Sequence, residues 1–163
     1  NDRDVVVLGM AAGSIPIQMR KLSGDDFEYT FTGVELDPGI QEVAEDIFGS
    51  TEPYIIDDAR RFLIKDSKKH DMIVVDAYGH EAFIPAHLAS VEFFEEVKSR
   101  LQENGLAVIN VNAPSKNSKF YQAFTNTFAA SFEHAYSIKA NDRWNYLIIG
   151  SQNPVNFSAI ENI

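Results

Sequence analysis

The strongest constraint on the fold sits near the C-terminus. Residues 133–139 and 144–150 (WNYLIIG) both read as strands, and only Ala140-Asn141-Asp142-Arg143 separate them. A parallel crossover takes about a dozen residues or more, so a linker this short makes the two strands antiparallel neighbours. Everything upstream has the opposite character. Residues 4–9 (DVVVLG), 29–35 (YTFTGVE), 53–57 (PYIID), 71–76 (DMIVVD) and 106–111 (LAVINV) are short β-rich runs separated by helical stretches. Continuous apolar runs such as DVVVLG and DMIVVD suit parallel strands buried on both faces. The expectation is therefore a doubly wound α/β fold: five β–α units, then a terminal antiparallel hairpin, giving a seven-stranded sheet.

Helix signals fill the gaps. One helix follows Gly13 to about Lys21, and Asp37-Pro38 opens another through Phe48, where Pro38 suits a first turn that needs no N–H. A third runs from about Asp58 to Lys65. Residues 90–102 (SVEFFEEVKSRLQ) predict an amphipathic helix started by Ser90 and Glu92 and stopped by Asn104-Gly105. A last helix over 117–131 places Phe120, Phe124 and Phe128 on one core-facing stripe. No linker, repeat or low-complexity segment interrupts the pattern, so residues 1–163 read as a single domain. Asn1 is not a start methionine and only three residues precede the first strand, so an upstream segment is expected.

Charge narrows what such a sheet can serve. Fourteen Lys and Arg against 24 Asp and Glu leave a net charge of −10. A surface that negative disfavours a nucleic-acid partner and fits a small-molecule, cationic substrate. Cysteine is absent, which excludes disulfides and thiolate metal sites. No apolar run reaches the roughly 18 residues of a membrane span, and no signal-peptide pattern opens the chain. A soluble, cytoplasmic domain is the expectation.

In open parallel sheets ligands bind beyond the carboxyl ends of the strands, where strand order reverses. Four successive strand ends carry residues suited to that place. Gly9-Met10-Ala11-Ala12-Gly13-Ser14 joins the first strand to a helix. Small residues there let the backbone approach a ligand, although the pattern is not G-x-G-x-x-G and equally describes a plain tight turn. Glu35 ends the second strand, 22 positions after Gly13, where a carboxylate can accept from both ribose hydroxyls. The competing role, capping the helix at Pro38, is one Asp37 can fill alone. Asp58-Ala59 follows the third strand, with a carboxylate able to accept from an adenine amino group beside a small residue that leaves room for the ring. Asp58 is also a favourable N-cap for the helix carrying Arg60 and Arg61. Asp76-Ala77-Tyr78-Gly79 ends the fourth strand, where the reacting end of a ligand would lie. Asp76 there can orient an amino group and Tyr78 can wall the pocket.

The segments VVVLGMAAGSIP, GVELDPGIQEVAEDIFG, IIDDARRFL, DMIVVDAYG and IPAHLASVEFFEEVKSRLQENGLAVINV resemble, in order, the spermidine synthase-like family of class I S-adenosylmethionine-dependent methyltransferase folds. The resemblance spans roughly residues 4–112. It implies a Rossmann-like sheet of seven strands with the antiparallel C-terminal hairpin. It also implies S-adenosylmethionine, or its decarboxylated form, as cofactor. By the same resemblance Gly9, Gly13 and Glu35 hold the methionine or aminopropyl part and the ribose, and Asp58 and Ala59 hold adenine; from the strand ends themselves, Ala11 in the turn and Tyr78 beside Asp76 are further pocket candidates, with Asp76 the catalytic candidate. The family's polyamine synthases carry D-x-x-D at the fourth strand, and the second Asp deprotonates the attacking amine. Gly79 stands there in this chain, Ala11 and Ala12 replace glycines of the turn, and Ser14 replaces an acid. A positioned general base contributes about 10²–10⁴-fold, so its loss favours methyl over aminopropyl transfer. Glu81, two residues on, is the candidate for a relocated base. The alternatives are a polyamine synthase using that base and a nucleotide-binding module without catalysis. The resemblance leaves a homodimer open.

Other chemistries find less support. His80 and His87 are seven residues apart, which matches no zinc spacing, and loop polarity explains them better than a substrate-side acid/base role does. No G-x-S-x-G elbow is present. Asn110-Val111-Asn112-Ala113-Pro114 shares only part of the N-P-P-[YF] pattern of amino-group methyltransferases.

Overall fold

Val5, Val6, Val7 and Leu8 are all buried, as expected of a strand covered on both faces. The computed structural model describes residues 2–24, 27–79, 83–140 and 144–157. Its strands are β1 (Asp2–Leu8), β2 (Glu28–Glu35), β3 (Tyr54–Ile56), β4 (His70–Val75), β5 (Leu101–Asn112), β6 (His134–Lys139) and β7 (Asn145–Ser151). Its α-helices are α1 (Ser14–Ser23), α2 (Pro38–Asp46), α3 (Ala59–Lys65), α4 (Val91–Ser99) and α5 (Lys119–Ala129), with a 3₁₀ turn at Ala86–Leu88.

One sheet joins the strands in the order β3-β2-β1-β4-β5-β7-β6. The pairs β1–β2, β1–β4, β2–β3 and β4–β5 are parallel, whereas β7 runs antiparallel to both β5 and β6. The terminal hairpin is thus as expected, and its second strand inserts between β5 and β6. Residues 141–143 of its linker lie outside the described residues, as does Asn1.

Successive side chains of β1 face opposite sides and feed two cores. Val6 and Leu8 join α3, α4 and α5 through Leu63, Phe93, Phe94, Phe124 and Phe128. Val5 and Val7 join Met10 and Phe31, against which Ile15 and Met19 of α1 pack. Helix starts follow their caps: Asp37, Asp58, Ser90 and Ser118 each accept from backbone N–H groups of the first turn. No described helix is long and apolar enough to cross a membrane.

Two local expectations need correction. Helix α4 ends at Ser99, not Gln102, and residues 101–105 belong to β5. Tertiary contacts stop the helix before Asn104-Gly105 is reached: the His70 N–H donates to the Arg100 carbonyl (2.8 Å), and Arg100 Nε donates to the Leu63 carbonyl (2.9 Å). Gly105 instead serves an irregularity of β5, where an added Cβ would come within 2.9 Å of the His70 carbonyl oxygen. The stripe on α5 is also shorter than expected. Phe124 and Phe128 are core, but Phe120 is 44% exposed.

Candidate functional site

The parallel register places the ends of β1 to β4 side by side. Leu8 pairs with both Val34 and Val75, and Glu35 pairs with Ile56. Backbone bonds continue one step beyond the ladder: the Gly9 N–H donates to Val34 O (2.8 Å), Asp57 N–H to Glu35 O (3.1 Å) and Asp76 N–H to Leu8 O (2.8 Å). Strand order reverses at β1, between β2 and β4, and a pocket of about 570 Å³ opens there. Ligand pockets of small-molecule proteins span about 300–1,000 Å³, so the size suits a nucleoside-sized ligand.

The pocket brings together Gly9, Ala11, Glu35, Asp58, Ala59, Asp76 and Tyr78, as the sequence suggested. Gly13 does not line it. That residue adopts φ +77° at the start of α1, and its N–H donates to Met10 O (3.0 Å), so its part is to turn the chain. Gly9 also has a structural task. At φ +88° it lies so close to the end of β4 that an added Cβ would stand 2.7 Å from Ala77 Cα and Asp76 O. Glycine here lets the two strand ends meet at the switch point.

Glu35 ties the turn after β1 to the end of β2. Its Oε2 accepts from the Ala11 N–H (3.1 Å) and its Oε1 from the Leu36 N–H (2.9 Å). Ala11 is held at φ +47°, a left-handed conformation uncommon for alanine, and the Glu35 carboxylate secures it. Asp37 caps α2 by accepting from Gly39 N–H (2.8 Å), which leaves Glu35 free of that role. Each Glu35 oxygen retains lone-pair capacity for a further donor.

Asp58 fills both roles considered for it. Its Oδ1 accepts from the Arg60 and Arg61 N–H groups (3.0 Å each), while Oδ2 pairs with His87 Nε2 (2.9 Å). Partial burial would raise its pKa, but the Arg61 amide, His87 and the Arg60 amide together hold it below the usual carboxylate value. His87 rides on the 3₁₀ turn and lines the pocket, with its carbonyl accepting from Arg60 (3.4 Å). His80 and Glu81 lie outside the described residues. Among the described residues no group of His, Asp and Glu is arranged to hold a metal ion.

At the β4 end, the Asp76 carboxylate is partly buried. Burial pushes its pKa up, and the hydrogen bond from Asn110 Nδ2 (2.9 Å) offsets only part of that. Asn145 Nδ2 in turn donates to Asn110 Oδ1 (3.2 Å), so the hairpin strand β7 helps aim the Asp76 carboxylate. The Tyr78 hydroxyl donates to Asn110 O (2.8 Å) and accepts from Asn112 N–H (3.1 Å). Burial dominates its titration and pushes the phenol up to about 12. Tyr78 therefore stays neutral, with its ring standing as a wall. Asn110 and Asn145 were not singled out from sequence as partners of Asp76. The only hint was two polar residues, Asn110 and Asn112, at the end of an otherwise apolar strand.

Apolar side chains (Val34, Leu36, Ile40 and Leu88) complete the lining beside Ala59, and Gly79 closes it beyond Tyr78. Among the described residues the lining includes no Lys or Arg. Acidic groups, apolar side chains beside the small Ala59 and the partly buried Asp76 carboxylate can together hold a ligand that is cationic in one part and flat and apolar in another.

No family model matches the chain. A probable polyamine aminopropyl transferase of Bifidobacterium longum (strain NCC 2705) is 30% identical over 144 residues, covering 86% of this chain and 31% of that protein. The chain is spermidine synthase-like. It spans less than a third of that relative's length. The fold recurs in solved structures. Human methyltransferase-like protein 13 in complex with SAH superposes with a TM-score of 0.81 at 20% identity, over 94% of this chain and 73% of that one. The spermidine synthase of Thermotoga maritima gives 0.74 at 16% identity, over 93% and 54%. This spermidine synthase-like chain thus has the class I methyltransferase fold, with the pocket at the switch point of its sheet.

Proposed function

We propose that this chain is the donor-binding core of a transferase that uses S-adenosylmethionine or its decarboxylated form. The observation that carries the reading is the single pocket in which Glu35, Asp58 and Asp76 converge from three strand ends, with no Lys or Arg among its described lining residues. Glu35 takes the ribose hydroxyls, and Ala59, Val34, Ile40 and Leu88 form the slot for adenine. Asp58 accepts from the adenine amino group, sharing Oδ2 with His87 or displacing it. Asp76 and the wall of Tyr78 face the reacting end. When bound, the donor supplies a sulfonium-activated carbon: the acceptor's lone pair bonds to that carbon as the C–S electron pair returns to sulfur. The protein orients the reactants and provides a proton acceptor. Asp76, its pKa raised by burial and its carboxylate aimed by Asn110, receives the acceptor's proton.

Methyl transfer is the reaction this site supports best, because Gly79 offers no carboxylate to deprotonate a protonated polyamine. Aminopropyl transfer is the second reading, favoured by the name of the B. longum relative and by the lack of a Lys or Arg among the described lining residues to pair with a donor carboxylate. Calorimetry with S-adenosylmethionine, its decarboxylated form and methylthioadenosine tests the proposal. Binding of S-adenosylmethionine at least as tight as that of the decarboxylated form supports methyl transfer. Preference for the decarboxylated donor, with turnover of putrescine, replaces it by aminopropyl transfer. Binding of none of the three refutes both.

A further inference from the structure

His70 opens β4 at the end of the sheet away from the pocket. It is 3% exposed, the one histidine, acid or base buried this deeply among the described residues. Both ring nitrogens meet a carboxylate. Nδ1 lies 2.5 Å from Asp4 Oδ1 on β1, and Nε2 lies 2.6 Å from Asp66 Oδ2 at the C-cap of α3. A neutral imidazole donates from one nitrogen and accepts at the other, so it would turn a lone pair towards one of these carboxylates. An imidazolium donates to both.

A protonated carboxyl group is the alternative way to complete the set, and neither partner suits it. Burial would raise the pKa of Asp66, but the His70 hydrogen bond, the Lys68 amide (3.0 Å) and the charge of Arg100 hold it below the usual carboxylate value. Asp4 keeps 41% of its side chain in water, which solvates its charge. The other charges around the ring are engaged elsewhere. On β1 and β4, Arg3 donates to Asp71 Oδ1 (3.0 Å), whose Oδ2 accepts from the Asp4 N–H (3.0 Å). Beyond α4, Arg100 Nε donates to Leu63 O (2.9 Å) and Lys69 donates to the Ser99 carbonyl. Lys65 at the end of α3 pairs with Asp57 (3.2 Å). Among the described residues no Lys or Arg side chain bonds to Asp4 or Asp66, so the ring is their one cationic partner.

We infer that His70 carries a proton on both nitrogens in the folded chain and works as a pH-dependent latch, tying α3 to β1 and through α3 steadying one wall of the pocket. Helix α3 has seven residues, well short of the roughly 12–15 at which an isolated helix is even marginal, so it depends on how its ends are held. Its first end is Asp58 and Ala59, which line the pocket, and its last is Asp66 on the latch. Burial by itself disfavours an imidazolium, and two carboxylates at hydrogen-bond distance outweigh it. A proton held more tightly in the folded chain than in the unfolded one stabilises fully in mildly acidic solution and less as pH rises. Once one ring proton leaves, a lone pair faces a carboxylate and the end of α3 loosens. The latch does not depend on which ligand the pocket takes.

Nitrogen-15 NMR of the parent chain reads the ring directly. At about pH 6.5 both His70 nitrogens are expected to bear protons, and raising the pH to about 9.5 should remove one. Amide hydrogen exchange on the same samples, corrected for its intrinsic pH dependence, reads the helix. The Asp66 N–H donates to Phe62 O and the Phe62 N–H to Asp58 O (2.9 Å each), so these two amides report the two ends of α3. Both should exchange about tenfold faster at the higher pH, the scale of one charge-assisted hydrogen bond lost from a local opening. His70→Gln supplies one donor and one acceptor without titrating. It should melt below the parent chain at about pH 6.5, with the gap closing by about pH 9.5. A singly protonated ring at the lower pH, exchange in α3 that does not change with pH, or a constant melting gap would overturn the latch. If the variant does not fold, the ring and exchange measurements on the parent chain decide.

Discussion

Replacing Glu35 tests the donor site most directly, because its carboxylate has both a structural and a ligand-facing role. In the free protein it accepts from the Ala11 and Leu36 N–H groups at 3.1 and 2.9 Å. Both amides are solvent-accessible, so Glu35→Ala lets water take over. The expected stability loss is about 0.5–1.5 kcal/mol per bond at most. Binding should suffer more. Two ribose hydroxyls donating to a carboxylate are charge-assisted bonds worth about 1.5–3 kcal/mol each, so losing both costs about 3–6 kcal/mol. At about 1.4 kcal/mol per decade this weakens S-adenosylhomocysteine by roughly 10²–10⁴-fold. Glu35→Gln keeps one neutral acceptor and should lose roughly 10–10²-fold. Calorimetric titration measures the affinity, and thermal melting of the same samples separates it from unfolding. An Ala variant that folds and binds within about threefold of the parent chain would refute the ribose assignment and the reasoning from strand ends behind it.

Three further outcomes are expected. Asp76→Asn should lower turnover by about 10²-fold or more while raising thermal stability at neutral pH. The folded pKa of Asp76 lies above its unfolded value, so the parent chain loses stability as pH rises between the two. The melting-temperature advantage of the variant should accordingly grow from pH 4 to pH 7, and a flat difference would contradict it. Asp66 behaves oppositely. Burial would raise it, but hydrogen bonds from buried His70 (2.6 Å) and the Lys68 amide hold it below 3.8. Its contribution is complete above that value and lost as pH falls through the lower folded pKa. Asp66→Asn should therefore destabilise by about 1–3 kcal/mol at pH 7, and denaturant titrations at falling pH should show the difference vanish. Gly9→Ala should be the most damaging small substitution at the site. Its methyl meets backbone at 2.7 Å, so differential scanning calorimetry should register a loss of about 1–3 kcal/mol or more, with donor affinity falling as the strand ends separate.

Much of this fold was legible because its signals are local. Apolar runs such as Val5–Leu8 and Ile73–Val75, helix caps such as Asp37 and Asp58, and the four-residue linker after Lys139 each act within a few residues of themselves. The rule that ligands meet strand ends then picked out Glu35, Asp58 and Asp76 before any contact was known. What was not legible depended on distant partners. Helix α4 ends where His70 captures the Arg100 carbonyl, 30 positions earlier in the chain, and no nearby residue announces it. Phe120 has the spacing of a core residue, yet it is 44% exposed while Phe124 and Phe128 on the same stripe are buried.

By itself the sequence determined the alternation of strands and helices, the antiparallel hairpin, and the carboxylates at successive strand ends. Those follow from periodicity, linker length and residue type, which involve no knowledge of what lies across the sheet. Only the tertiary structure decided what each group does there. It turned Gly13 away from the pocket and brought Gly9 against Asp76. It set His87 on Asp58, and it placed Asn110 and, through β7, Asn145 behind the Asp76 carboxylate. Burial, hydrogen-bond partners and close approach arise between residues far apart in the chain, so they exist only once the sheet is assembled.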